Sequence, residues 1–308
     1  MKIAVIGTGG VGGYFGGKLA MAGNDVTFLA RGEHLSALKK NGLTVKSFDG
    51  DFSVKPVKAT DSIKAIGRVD LVILAVKAWQ IKEVAKEIND IVDEDSVILP
   101  LQNGVLAASE LKVDIDNDIV VGGLCRIFSE IESPGIINHF GVNPTIVFGE
   151  LDVNTMSRIQ MVKDIFDNAD INSKVAEDIN SDLWKKFISI CVSGLLAVTR
   201  STFGEVRGLN ETRQLMLELL TEGYKVSQKL GINIESDFVD KTVSFMDTFP
   251  YDSSSSLARD VWEGNPSEIE YQNGTMVKLG EKYGVETPVN RFIYSCILPM
   301  EKRIREKK

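Results

Sequence analysis

Apolar residues fall into short unbroken runs through the first half of the chain and recur at helical spacing through the second. Residues 3–6 form a short apolar run that leads straight into Gly7-Thr8-Gly9-Gly10-Val11-Gly12. A helix-compatible stretch over 13–21 follows, and 26–30 is a second apolar run. Strand, helix and strand in about 30 residues make a βαβ unit. Residues 70–76 are almost continuously apolar, as in a strand covered on both faces. Ile81, Val84, Ala85, Ile88 and Ile91 share one helical face, which predicts a helix over 81–91. Residues 96–101 predict another buried strand, and 119–122 and 145–149 two later ones. Strands alternating with helices imply a parallel sheet with helices on both faces.

The texture changes near residue 180. The spacing predicts helices over 182–197, 211–230, 237–249 and 274–283, with no strand among them, and connections at 205–208 and 231–233. The expected fold is therefore α/β: an N-terminal Rossmann doubly wound parallel sheet over 1–178, then an all-α domain over 179–308. There is no internal repeat. The four serines at 253–256 are the one low-complexity stretch and predict a loop or a helix cap.

Composition adds exclusions. The 308 residues suit about two domains and bury enough core to need no staple. The net charge of −8 leaves no clustered basic face for nucleic acid. The one dense basic stretch, 301–308, predicts a frayed, solvated helix end. Three cysteines, Cys125, Cys191 and Cys296, are odd in number and widely spaced, so neither a disulfide framework nor a metal site is expected. Cys191 and Cys296 lie in apolar runs and are expected to be buried. The chain starts in a strand without the features of a signal peptide, and no apolar run is long enough to span a bilayer. A cytoplasmic protein without a membrane partner is expected.

The glycines carry the first chemistry. In such a turn Gly7 permits the tight bend, Gly9 lets the backbone approach a pyrophosphate and Gly12 allows close helix–strand packing. Thr8, Gly10 and Val11 complete the loop, and the helix N-terminus offers free N–H groups to phosphate. The motif follows a strand and opens a helix inside a βαβ unit, which is its confirming context. A nicotinamide dinucleotide is the expected cofactor. An acidic residue at the end of the second strand would favour NAD. Here the position reads Ala30-Arg31-Gly32, and the Arg31 guanidinium matches a 2′-phosphate, so NADPH is expected. Glu33 is the competing acid.

Two further segments, Lys77-Ala78-Trp79-Gln80 and Leu101-Gln102-Asn103-Gly104-Val105, follow predicted strands at their carboxyl ends, where open α/β sheets bind ligands. Leu183-Trp184-Lys185-Lys186, Ser255-Ser256-Leu257 and Ser267-Glu268-Ile269-Glu270-Tyr271 come later. In this order and spacing the chain resembles the ketopantoate reductase (2-dehydropantoate 2-reductase) family over essentially its whole length. The resemblance implies reduction of a small-molecule 2-keto acid by NADPH, with 2-dehydropantoate giving (R)-pantoate in pantothenate biosynthesis, and a homodimer formed through the helical domain. It makes Lys186 the catalytic acid. Ketone reduction leaves negative charge on oxygen, and a positioned ammonium stabilises that charge and supplies the proton. By the same resemblance Glu268 bonds the substrate or holds the lysine, and Asn103 lies near nicotinamide and substrate. Lys77 lies on the cofactor-facing loop and Ser256 binds the substrate carboxylate. Plainer readings stand beside these: Ser256 as a helix cap, Asn103 as half of a turn pair, Lys77 as an exposed lysine. His34 and His139 match no catalytic position.

One departure bears on the substrate. Family asparagines that bind the hydroxyl-bearing end of ketopantoate are replaced here by Ile190 and Gly194. A pocket that hydrogen-bonds a hydroxyl discriminates through it, and an apolar wall does not. The alternative is a D-2-hydroxyacid dehydrogenase acting on branched or aromatic 2-keto acids. A non-catalytic dinucleotide sensor is a third reading, against which the retention of Lys186 and Glu268 speaks.

Overall fold

The computed structural model describes residues 1–115, 117–151 and 156–306. The chain divides into two compact units, Met1–Gln102 with Leu106–Ile179, and Asn103–Val105 with Asn180–Lys308. Among the described residues no helix is long and apolar enough to cross a membrane.

The first unit is built on a parallel sheet of β1 (Lys2–Ile6), β2 (Asp25–Leu29), β5 (Lys58–Thr60), β6 (Leu71–Leu74) and β7 (Val97–Pro100), in the order β5-β2-β1-β6-β7. Its strands are apolar throughout because both faces are covered. Ile3 and Val5 of β1 face one core with Phe15, Phe28, Ile137 and Phe148. Ala4 and Ile6 face the other with Val84, Ala85 and Ile88. The flanking helices are α1 (Gly10–Met21), α2 (Gly32–Asn41), α3 (Ile81–Asn89) and the short α4 (Ala107–Leu111). This is the doubly wound Rossmann arrangement that the alternation implies.

A second sheet lies in the same unit. It contains β3 (Leu43–Ser47), β4 (Phe52–Val54), β9 (Ile136–Gly149) and β10 (Ser173–Val175) in the order β10-β9-β3-β4, with β8 (Gly122–Ser133) pairing antiparallel to β9. The helix α5 (Met156–Asn168) precedes β10. One expected strand is corrected here, and the other proves part of a longer one. The strand expected over 119–122 shrinks to a parallel bridge between Val120 and Ile98, and Gly122 instead opens β8. Residues 145–149 are the end of the long strand β9. The hairpin turns at Gly135, at φ +83°. Arg126, Glu130 and Glu132 give β8 a polar face, so its apolar signal is diluted where it leaves the core.

The second unit is helical: α6 (Ile179–Ile190), α7 (Val192–Thr199), α8 (Phe203–Gly208), α9 (Asn210–Lys229), α10 (Phe238–Asp247), α11 (Ser256–Glu263), α12 (Thr275–Tyr283) and α13 (Pro288–Glu306). The single helix expected over 182–197 is broken at Cys191, whose N–H reaches back only three residues to Ile188 O. The connection expected at 205–208 is helical. Thr202 caps it: its Oγ1 accepts from Glu205 N–H while Glu205 accepts from Thr202 N–H, two orphan donors satisfied reciprocally.

The C-terminal stretch is also corrected. Glu301 is buried and accepts from Ser267 N–H and Oγ, at 2.9 and 2.7 Å. Arg305 donates to Glu301 and to Ser267 O. The helix end is therefore tied to the Ser267 motif, with Lys302 and Arg303 exposed, while Lys307 and Lys308 lie outside the described residues. Cys191 is buried as expected, but Cys296 is exposed on the outer face of α13.

Candidate active site

The dinucleotide turn follows from local sterics. Gly7 has φ +102°, and a side-chain carbon there would stand 2.7 Å from Val76 N. One at Gly12 would run into the Gly7 carbonyl oxygen. Gly9 differs: it is extended, at φ −85° and ψ −158°, and an added carbon would meet nothing within 4 Å. Thr8 ties the loop to β2, donating from N and Oγ1 to Leu29 O at 3.1 and 2.8 Å. No acidic side chain lies in the first turn of α1, and no side chain caps it. Two glycines thus close the turn and the third keeps its outer face open before the N–H groups of a twelve-residue helix. That cradle fits a pyrophosphate.

Arg31 follows β2, is exposed and stands at the N-terminus of α2, with no hydrogen bond or ion pair from its side chain among the described residues. Glu33 is exposed in the first turn of α2. His34 Nδ1 accepts from Gly135 N–H at 3.1 Å, which places its proton on Nε2 and joins α2 to the β8–β9 turn. Burial pushes the His34 pKa down. His139 is buried, bonded to Ser47 Oγ and Val142 O, so it fills a structural position. Lys77 is exposed after β6, its Nζ 5.8 Å from the Trp79 ring centre. Gln102 is a residue that sequence reasoning passed over. Its Nε2 donates to Leu74 O and Val76 O at 2.9 and 3.1 Å, fastening the ends of β6 and β7. Its position between a buried strand and the Asn-Gly turn was the available signal.

The remaining candidates belong to the second unit. Helix α6 turns Trp184, Phe187 and Ile188 into the core and leaves Lys185 and Lys186 half-buried at its rim. Lys185 is paired with Glu235 at 2.6 Å, and that bond holds the Glu235 carboxyl below its usual range. Glu268 is only 6% exposed, and its carboxylate accepts from Asn103 Nδ2 at 3.2 Å. The fold thus joins two candidates 165 residues apart. Gly104, at φ +99°, lies so near Tyr271 O that an added carbon would be 2.9 Å from it, so the Asn-Gly turn is fitted to the Glu268 segment.

Ser256 is the first residue of α11 and is exposed; the cap is Ser255, whose Oγ accepts from Ala258 N–H at 3.1 Å. The cap role considered for Ser256 belongs to its neighbour. Ile190 is half-buried at the end of α6, and Gly194 is buried in α7. The segment after Glu268 coils into a π-turn over Glu270–Gly274, with Gly274 N–H bonded to Ile269 O. Such turns recur at functional sites. Asn273, in this turn, carried no sequence signal because a buried asparagine is recognised only by its partners.

A glycine-turned parallel sheet followed by a helical unit that carries a lysine, a buried glutamate and its asparagine is the architecture of a dinucleotide-dependent oxidoreductase. Two family models, "Ketopantoate reductase PanE/ApbA" and its C-terminal counterpart, match residues 3–153 and 178–301. The chain belongs to the ketopantoate reductase family, whose members are oxidoreductases acting on CH–OH groups. It is 30% identical to the 2-dehydropantoate 2-reductase of Nostoc, covering 99% of this chain and 96% of the relative. The crystal structure of 2-dehydropantoate 2-reductase from Geobacter metallireducens is similar with a TM-score of 0.91 at 27% identity, over 97% of this chain and 99% of that one. D-mandelate dehydrogenase, solved with NADH and anilino(oxo)acetate, has a TM-score of 0.90 at 22% identity over 99% of each chain, a likeness of fold.

Proposed function

We propose that the protein is an NADPH-dependent reductase of a 2-keto acid, with 2-dehydropantoate as substrate and (R)-pantoate as product in pantothenate biosynthesis, a cytoplasmic reaction. The observation that carries this reading is the hydrogen bond between Asn103 and Glu268, within the unit whose first helix carries Lys186. In the other unit, the open face over Gly9 takes the pyrophosphate against the first N–H groups of α1, with Thr8, Gly10 and Val11 around it. Arg31 takes the 2′-phosphate with several donors. Lys77 lies on the loop that faces the cofactor.

When bound, the reduced nicotinamide supplies a hydride to the keto carbon. The chain's own residues handle the oxygen and the proton. Lys186 places a positive charge beside the oxygen as it becomes negative and gives it a proton. Glu268, kept from water and bonded to Asn103, fixes the substrate or the lysine. Asn103 in turn is held against Glu268, which orients its amide toward the substrate. Ser256 offers a hydroxyl at the N-terminus of α11, where the helix dipole favours the substrate carboxylate.

A second reading keeps the machinery and changes the substrate. Ile190 presents a half-buried aliphatic side chain where family members hydrogen-bond a hydroxyl, which favours a D-2-hydroxyacid dehydrogenase acting on branched or aromatic 2-keto acids. Steady-state rates on ketopantoate, 2-ketoisocaproate and phenylglyoxylate, each with NADPH and NADH, separate the two. The proposal expects the highest kcat/KM for ketopantoate with NADPH. A ketopantoate value well below that of the apolar acids would replace it with the second reading, and a preference for NADH would remove the role given to Arg31.

A further inference from the structure

Outside the groups assigned above, the second unit buries an unbroken chain of polar side chains. Glu222 of α9 is 7% exposed and accepts from Val289 N–H, Asn290 N–H and Asn290 Nδ2. Asn290, fully buried on α13, must therefore turn its Oδ1 the other way, where it accepts from Asn273 Nδ2 at 2.9 Å. Asn273, also fully buried, uses the same nitrogen to donate to Cys191 O at 3.0 Å. The carboxylate thus fixes the orientation of both amides, since either one flipped would set acceptor against acceptor. What remains, Asn273 Oδ1, has no hydrogen-bond partner among the described residues and lies where a side-chain carbon at Gly194 would stand. Any side chain at 194 would displace it.

The two ends of this chain matter because of what they carry. Cys191 is the break between α6 and α7, and its carbonyl also accepts from Gly194 N–H at 3.1 Å. One turn before the break, α6 carries Lys186. Asn273 sits in the π-turn that begins just after Glu268, where Tyr271 and Gln272 N–H both bond back to Glu268 O at 3.0 Å.

We propose that Asn273 is a positioning residue that fastens the break below Lys186 to the turn above Glu268, and so sets the register of the catalytic ammonium against the carboxylate. This amide, together with Ile293 Cγ2, occupies the space a side chain at Gly194 would need. The inference rests on the reductase reading and adds to it a residue that touches neither substrate nor cofactor. A misplacement of about 1 Å at a distance from the chemistry costs on the order of 100-fold in rate.

The test uses the full-length protein, NADPH and the best keto acid of the panel above. Asn273→Asp keeps size and removes the donor. It is expected to lower kcat by roughly 10- to 100-fold and to move the pH dependence of kcat. NADPH affinity, read by fluorescence titration, is expected to stay within about twofold because the cradle lies in the other unit. A merely structural role would lower the amount of active protein without moving the pH profile. Should Asn273→Asp fail to fold, Gly194→Ala presses on Asn273 Oδ1 and on Ile293 Cγ2, so it is read against Ile293→Ala, which disturbs only the second contact. Gly194→Ala alone is expected to move the profile in the same direction with a smaller fall in kcat. An unaltered kcat and pH profile in the variant that folds overturns the inference while the reductase reading stands. A wild-type protein silent on every keto acid removes that reading, and the inference with it.

Discussion

Individual residues divide by whether their neighbours are protein or open space. Gly12 and Gly9 stand in one motif, yet Gly12 faces the Gly7 carbonyl and Gly9 faces nothing within 4 Å. Gly12→Ala is expected to destabilise the protein by about 1–3 kcal/mol, the usual cost of overpacking, read as a lower Tm. Gly9→Ala is expected to leave Tm nearly unchanged and to weaken dinucleotide binding about tenfold or more, equivalent to about 1.4 kcal/mol. Equal effects of the two variants on stability would show that the open face is not a binding face. Arg31→Ala is expected to weaken NADPH by roughly 10- to 100-fold, the worth of a charge-assisted contact of about 1.5–3 kcal/mol, with NADH hardly changed. Equal losses for both cofactors would contradict the 2′-phosphate contact. The glycine turn was legible in the sequence because each glycine answers a local backbone need. Asn273, Gln102 and Glu301 were not, because their roles exist only through partners distant in the chain.

At the scale of elements, α13 grips the Ser267–Gly274 segment along one face. Asn290 meets Asn273, Tyr294 meets Glu270, and Glu301 and Arg305 meet Ser267. For Glu270 burial raises the pKa, but the hydrogen bonds from Lys278 and Tyr294 outweigh it and the net direction is down. For Tyr294 burial and the Glu270 charge both push it up. The Glu270 contribution to stability is present above the usual carboxylate range and is lost as pH falls through its lowered folded value. The Tyr294 contribution is present below the usual tyrosine range and is lost as pH rises through its raised folded value. Tyr294→Phe is therefore expected to lower Tm by about 2–4 °C near neutral pH, with the gap closing toward about pH 3 and above about pH 10. A gap independent of pH would contradict the pairing. The sequence showed the central strands and long helices because their apolar periods are strong. It did not show the β8–β9 hairpin, where polar residues interrupt the alternation, nor α8, where a capping box rather than an apolar face starts the helix.

The chain forms two units, the first with an apolar core on each face of its parallel sheet and the second with its own. The first carries the glycine turn, open over Gly9, and an exposed arginine. The second supplies a lysine at the rim of α6 and a buried glutamate already bonded to an asparagine. The family, and the division into a Rossmann sheet and a helical region, could be read from motif order along the chain. The substrate could not, because Ile190 and Gly194 stand where the family resemblance expects asparagines. The central claim is that Lys186 protonates the oxygen of a 2-keto acid reduced with NADPH. It is tested most directly by comparing wild type and Lys186→Ala in kcat on the preferred keto acid and in NADPH affinity. The expected result is a fall in kcat of about 100- to 10,000-fold with NADPH binding unchanged. A Lys186→Ala variant that keeps the wild-type kcat would contradict it.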